Sequence, residues 1–108
     1  MPKNSKAYLH DIRESIHRIN RFIEDTVSLE AYANDDKTSS AVERQLSILG
    51  EAVVQFSKMD RLENAEKIKG FRNRLIHAYD SVDHETVWVI IKRYLPALLK
   101  EVDQKLSR

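Results

Sequence analysis

The sequence has 108 residues, the size of one small domain, and no cysteine, so it has neither a disulfide framework nor a thiolate metal site. The net charge of +1 excludes a uniform polycation, and any affinity for nucleic acid must come from local clusters of positive charge. Glycine and proline are too scarce for the turns of a β-protein, and charged residues alternate with Leu, Ile and Val at helical spacing, so we expect one all-α domain over residues 1–108.

The first predicted helix begins near Ser5 and continues to a turn-like cluster at residues 34–36. Apolar residues recur along it at intervals of three and four, as one face of a helix requires. They are Leu9, Ile12, Ile16, Ile19, Ile23 and Thr26. Residues 1–5 lack the apolar stretch of a signal peptide, and no apolar run approaches the roughly 20 residues of a membrane span. We expect a cytoplasmic protein that does not enter the membrane.

Three further helices follow. The second is predicted to begin at Ser40, because Ser40 and Glu43 have the spacing of a capping box. The third covers about residues 64–79. The fourth begins at Asp83, a favourable N-cap, and Pro96 is expected to kink it, because proline removes a hydrogen bond and clashes one turn back. Four main helices with short connections predict an up-down helical bundle.

Arg72 is an anomaly in the third helix. At about 100° per residue it falls inside an arc of apolar side chains. They are Ile68, Phe71, Leu75, Ile76, Ala78 and Tyr79. A guanidinium in an apolar face is costly unless it is paired or bound. Arg72 has two interpretations. It is a structural residue that pairs with an acid such as Glu51 or Asp80 or extends to solvent, or it is a residue that binds an anion such as phosphate in a groove.

Residues 72–79 resemble the signature of the HepT-like toxins of the HEPN superfamily: Arg, a polar residue, three more residues, His, any residue and Tyr. Arg72, Asn73, His77 and Tyr79 fill its named positions. Residues 50–52 (Gly-Glu-Ala) resemble the family's second-helix motif, and residues 82–88 and 95–98 resemble its last part. Residues 60–66 depart from the family, whose members often carry Pro and Trp there. The resemblance spans nearly the whole chain and implies a HEPN-like bundle.

The resemblance also implies a metal-independent endoribonuclease, in which the 2′-hydroxyl of RNA attacks the adjacent phosphorus. His77 would exchange protons, as histidine can near neutral pH. Arg72 would stay cationic and bind two phosphate oxygens, and Asn73 would orient His77 or the scissile phosphate. No cofactor is expected, and no metal site either, because no Cys, His and carboxylate set has ligand spacing; we interpret His10 and His17 as surface residues.

A homodimer is expected from the direction of these side chains. Arg72 and His77 are five residues apart, so they diverge by about 140° on an ideal helix and one helix does not easily direct both at one phosphate. Two protomers related by a two-fold axis can build composite sites, and the resemblance implies the same arrangement. Lys69 and Arg74, together with Lys67 and Arg72, would then form a basic cleft that binds the RNA backbone.

The resemblance implies that Tyr79 is a modification site, and Tyr79 lies close to Arg72 on the helical wheel. In the family this tyrosine receives AMP units from a minimal nucleotidyltransferase antitoxin of the MntA type, and the added phosphates would occupy Arg72 and the basic cleft. The resemblance thus implies the toxin of a type VII toxin–antitoxin system that AMPylation neutralises. Without the motif, Tyr79 would be an ordinary amphipathic residue at the edge of the core.

Two other functions stay open. HEPN-like bundles also occur as non-catalytic partners that bind or support a nucleotidyltransferase, in which Arg72 and His77 would form a nucleotide-binding or structural pair. The complete set of Arg72, Asn73, His77 and Tyr79 favours the ribonuclease. A plain helical interaction domain is the third alternative, and Arg72 fits it poorly.

Overall fold

A computed structural model describes the backbone of residues 4–77 and 83–108, and the side chains of residues 4–74 and 83–108. These residues form helices α1 (Ser5–Phe22), α2 (Leu29–Ala33), α3 (Asp36–Ser57), α4 (Glu66–His77), α5 (His84–Val89) and α6 (Leu95–Leu106), with a π-helical segment (Ile90–Tyr94) between the last two. The all-α prediction is confirmed. The four predicted helices correspond to α1, α3, α4 and the run from α5 to α6, and α2 is an additional short helix.

The first helix is shorter than predicted. α1 ends at Phe22, and Ser28 begins a separate helix because its hydroxyl oxygen accepts a hydrogen bond from the Ala31 backbone N–H at 3.1 Å. The expectation that one helix continues to residues 34–36 is therefore wrong. Apolar spacing concealed the break, since Ile23 is still buried although it lies in the turn after α1.

The position of α2 is fixed by Tyr32, which is completely buried. Its ring lies 5.4 Å from the Trp88 ring and 5.6 Å from the His84 ring, centroid to centroid, and the His84 ring meets it edge-on. This burial raises the pKa of the Tyr32 phenol, with a further contribution from the charge of Glu43. α2 therefore packs against α5, and it also contacts α3.

α3 begins earlier than predicted. The Asp35 carboxylate accepts hydrogen bonds from the Thr38 backbone N–H at 3.0 Å and from the Thr38 hydroxyl at 2.7 Å. α3 therefore starts at Asp36, and the predicted capping box of Ser40 and Glu43 is wrong because both residues lie within the helix. Aspartate is as effective an N-cap as serine, and Asp35 comes first along the chain.

The predicted apolar faces of α1 and α3 meet in one core, where α1 packs against α3 and α6, and α3 packs against α4. Each of these side chains contributes about 1.5–3 kcal/mol on full burial. The core residues that are less than 2% exposed include Ile12, Ile16, Ile19, Val42, Leu46, Leu49, Val53, Phe56, Leu95 and Leu98. Among the residues described, no helix has both the length and the apolar character to cross a membrane.

The last helix is capped and interrupted near the expected places. Asp83 caps α5 by accepting from the Glu85 backbone N–H at 3.0 Å, which confirms the predicted start. The π-helical segment ends at Tyr94, two residues before Pro96, and the Leu95 N–H donates to the Ile90 carbonyl. A wider turn relieves the clash of a proline ring with the preceding turn, so Pro96 disturbs the regular helix as predicted.

The turn before α4 is fastened to α6 by Glu101. Its carboxylate accepts hydrogen bonds from the backbone N–H of Glu63 at 2.7 Å and of Asn64 at 3.1 Å. A second contact joins Lys105 to Asp60, with 3.3 Å between Nζ and Oδ2. These contacts fix the chain just before α4 begins at Glu66, two residues later than predicted, and so set where the α4 side chains lie.

Candidate functional site

Arg72 lies where α4 packs tightly against Gly50 of α3. A Cβ atom placed on Gly50 would be 2.5 Å from Arg72 Cβ and 2.7 Å from Arg72 Cγ, which is closer than real carbon atoms approach. Gly50 is buried and in regular helical conformation, so its missing side chain, and not backbone freedom, is what this position requires. The helix pair can adopt this distance only because residue 50 is glycine.

The Arg72 guanidinium is held by two oxygen acceptors. Its Nη2 donates to Glu51 Oε2 at 2.5 Å, and its Nη1 donates to Asn73 Oδ1 at 3.3 Å. A hydrogen bond from Gln55 and, next, the positive charge of Arg72 hold the pKa of Glu51 below its usual range. Of the two acids predicted as partners of a structural arginine, Glu51 is confirmed and Asp80 lies outside the described residues.

The Arg72 guanidinium has five N–H groups, and the contacts with Glu51 and Asn73 use two of them. The Nε–H is buried, and within the described part of the chain it has no acceptor, which costs about 1–3 kcal/mol for a buried donor. The side chain as a whole is 25% exposed and lines a groove of about 400 Å³ next to α1 and α3. The buried Nε–H is not itself open to the groove, but Nη1 and Nη2 each have a second N–H group that an anion in the groove can bind.

The other motif residues are only partly described. Asn73 is exposed and contacts Arg72, so it orients the guanidinium in this structure. His77 is the last residue of α4, but its side chain lies outside the described residues, as does the whole of Tyr79. The predicted roles of His77 and Tyr79 therefore stay predictions.

The basic residues of α4 point into different grooves. Lys67 and Arg74 line a groove of about 830 Å³ between α4 and α5. Lys69 lines another one, formed with the turn before α4, and its Nζ lies 3.9 Å from Glu66 Oε1. In the part of one protomer that is described, Lys69 and Arg74 do not share a cleft with Arg72. A continuous basic surface would have to include other residues or a second protomer.

The histidines outside the motif differ in their surroundings. His10 and His17 are exposed on α1, which confirms that they are surface residues. His84 packs against Tyr32, and its Nδ1 atom is buried with no hydrogen-bond partner among the residues described. Over residues 4–74 and 83–108, no three His, Asp or Glu side chains come together in a way that could hold a metal ion.

The lining of the Arg72 groove includes residues that had no place in the predicted site, among them an aromatic and an aliphatic one. Tyr8 of α1 is half-buried, and Ile48 of α3 is 43% exposed; both line the groove. Ile48 could have been noticed in the sequence, because it is a large apolar residue outside the apolar face of α3. Its proximity to Arg72 depends on how α3 and α4 pack and has no signal in the sequence.

Comparison with known proteins gives a consistent result. A model of the Ribonuclease HepT-like family matches residues 12–104. The chain is 35% identical to "Putative RNase MJ1216" of Methanocaldococcus jannaschii, over 96% of this chain and 89% of that protein. It is 34% identical to "Probable ribonuclease HepT" of Thermococcus cleftensis, over 91% of this chain and 92% of that protein. It is 32% identical to "Putative RNase TTE0752" of Caldanaerobacter subterraneus, over 98% of this chain and 97% of that protein. No solved structure matches the chain.

The two glycines provide a matched test of the contact between α3 and α4. In Gly50→Ala the new methyl group clashes with the Arg72 side chain. In Gly70→Ala the new methyl group lies on the exposed side of α4 and meets no atom within 4 Å. Both gain the better helix propensity of alanine, about 1 kcal/mol, so we expect Gly70→Ala to raise the free energy of unfolding. The free energy of unfolding of Gly50→Ala should be lower than that of Gly70→Ala by the cost of overpacking, about 1–3 kcal/mol.

Urea unfolding followed by circular dichroism measures both variants. Equal changes in the free energy of unfolding would show that the contact of Gly50 with Arg72 is not tight.

Proposed function

The chain belongs to the Ribonuclease HepT-like family, and we propose that it is a metal-independent endoribonuclease, the toxin of a type VII toxin–antitoxin system that acts on cytoplasmic RNA. The observation that carries this proposal is the state of Arg72. Glu51 and Asn73 hold two of its nitrogens, its Nε–H has no acceptor among the described residues, and a quarter of the side chain is exposed at a groove. This state suits a cation that binds phosphate oxygens.

The proposed reaction uses the nucleophile that RNA carries. The 2′-oxygen of a ribose forms a bond to the adjacent phosphorus, and the bond from phosphorus to the 5′-oxygen of the next nucleotide breaks. The 2′-hydroxyl loses a proton and the departing oxygen gains one, which leaves a 2′,3′-cyclic phosphate and a 5′-hydroxyl. The step balances without a metal ion.

The residues of α4 have separate proposed roles in this step. Arg72 would stabilise the negative charge on the pentacoordinate phosphorus, and Asn73 would keep its guanidinium oriented. His77, by its match to the family motif, would transfer a proton. Lys69 and Arg74 would bind flanking phosphates, which positions RNA without reading its sequence.

Catalysis is tested on single-stranded RNA in the presence of a chelator. We expect Arg72→Ala to reduce kcat by about 100-fold or more, as removal of one charge-stabilising donor does, and His77→Ala to reduce it by about 100- to 10,000-fold. Lys69→Ala and Arg74→Ala should mainly raise KM and weaken its salt dependence, because they remove phosphate contacts. Arg93→Ala, on the exposed side of the π-helical segment, is the control.

Three results would contradict parts of this proposal. Folded Arg72→Ala and His77→Ala proteins that cut at the parental rate would remove both residues from the site. Activity only after a divalent ion is added would contradict the metal-independent step. A wild-type protein that cuts no RNA would favour the alternative, a non-catalytic bundle that binds or supports a nucleotidyltransferase.

We also propose that the active form is a homodimer with composite sites, in which Arg72 of one protomer acts with His77 of the other. Complementation tests this directly. If inactive Arg72→Ala and inactive His77→Ala proteins exchange subunits freely, half of the dimers are mixed and each has one intact site of two. We expect recovery of about one quarter of the parental activity.

The control is each inactive protein mixed with itself, which should stay inactive. A mixture that also stays inactive, although light scattering and subunit labels show mixed dimers, would place both residues of a site in one protomer.

Regulation is proposed to occur at Tyr79. A minimal nucleotidyltransferase antitoxin would transfer AMP from ATP to its oxygen: the bond from that oxygen to the α-phosphorus forms, the bond to pyrophosphate breaks, and the phenol loses its proton. Each AMP brings a phosphodiester with about one negative charge that can pair with Arg72 or Arg74 in place of RNA. We expect mass increments of AMP on the wild-type protein coexpressed with the partner, none on Tyr79→Phe, and toxicity of Tyr79→Phe despite the partner. Tyr94→Phe is the matched control and should still be modified. Increments on another residue, or full neutralisation of Tyr79→Phe, would contradict the proposal.

A further inference from the structure

The groove that Arg72 lines has features beyond those needed to bind a phosphate. It has a volume of about 400 Å³, and its lining includes residues of α1 and α3. Tyr8 of α1 and Ile48 and Ala52 of α3 form its apolar wall, and Ser47 adds a hydroxyl. A groove with a largely apolar wall and a few polar groups is typical of a site for a small organic group.

The apolar wall is accessible to such a group. Ile48 is 43% exposed, and Tyr8 packs partly against the core while the rest of the side chain remains at the surface. A single exposed apolar residue needs no explanation. Here, however, an aromatic side chain and an aliphatic one line the same groove as a partly exposed guanidinium. A nucleotide has this combination of a flat, weakly polar base and an anionic phosphate.

We propose that this groove holds the nucleobase of a nucleotide whose phosphate is bound by Arg72. This inference rests on the proposed function, and it adds a base subsite to the phosphate site. The base would lie against Tyr8 and Ile48, because stacking on an aromatic side chain is favourable for every base. The cleaved bond would then be next to a base that the protein holds.

The acidic residues of the groove favour a base over a second phosphate. Asp11 and Glu51 both line it, and Arg72 is the cation among its described lining residues, so the groove offers no second positive charge for another phosphate of the RNA backbone. Carboxylate oxygens accept hydrogen bonds, so they are compatible with the amino groups of bases. Because a base can enter the groove only when it is unstacked and unpaired, the subsite requires single-stranded RNA.

The test uses a short single-stranded RNA of mixed sequence whose cleaved bond is mapped first. Matched RNAs then carry an abasic ribose, with its 2′-hydroxyl, on one or the other side of that bond. We expect the abasic residue on one side to reduce kcat/KM by about tenfold or more for the wild-type protein, since base–aromatic stacking is lost. On the other side the effect should be small.

Variants of the groove show whether this preference arises there. Tyr8→Leu and Ile48→Ser should cut the intact RNA less well and should lose most of the discrimination against the abasic RNA, because the base then has no wall to contact. Tyr8→Phe keeps the ring and should keep the discrimination. Val27→Ser, at an apolar residue that is 88% exposed and outside the groove, is the matched control for Ile48→Ser.

The outcomes separate this inference from the proposed function. If the wild-type protein cuts intact and abasic RNAs equally well, or if the groove variants keep full discrimination, the base subsite is wrong while the ribonuclease stands. If Ile48→Ser converts a dimer into monomers in sedimentation, the groove is an interface between copies of the chain, which also overturns the inference. If no RNA is cut, the proposed function fails and the base subsite fails with it.

Discussion

The candidate site depends on the tight contact between α3 and α4 at Gly50. Because residue 50 has no side chain, the Cβ and Cγ atoms of Arg72 occupy the space next to the α3 backbone. The next residue of α3, Glu51, is then in reach of the guanidinium. A side chain at position 50 would separate the helices and move Arg72 away from Glu51. Glu101 acts on the same helix from its other end, since it fixes the turn that leads into α4.

The energetics of Arg72 favour a functional role over a structural one. Its side chain is 25% exposed and that of Glu51 is 50% exposed, so solvent screens the ion pair, which contributes about 0–1 kcal/mol to stability. The buried Nε–H, which has no acceptor among the described residues, costs a similar amount or more. An apolar residue would serve the packing of α4 at least as well. The contacts with Glu51 and Asn73 orient the guanidinium, which is useful for an anion site.

The arrangement around α4 also bears on how RNA would bind. Arg72 lies in one groove, Lys67 and Arg74 in a second and Lys69 in a third. An RNA strand that contacts all of them has to cross the helix, because no single face carries them. This geometry is compatible with the proposed dimer, in which a second α4 would supply charges that one protomer directs elsewhere.

Composition and apolar spacing determined the all-α class and the buried faces of α1 and α3, because burial of one helical face is a local, periodic property. The motif and the family resemblance were also available from the sequence alone, but Glu51 was only one of two acids that the sequence offered as partners of Arg72. The N-caps Ser28 and Asp35 were not available from the sequence, since several nearby residues can cap a helix and the local sequence does not select among them. Only the tertiary structure decided that Gly50 contacts Arg72 and that a groove with an apolar wall lies beside it. Contacts between residues far apart in the chain follow from the distance and angle of packed helices, which no periodicity in the sequence specifies.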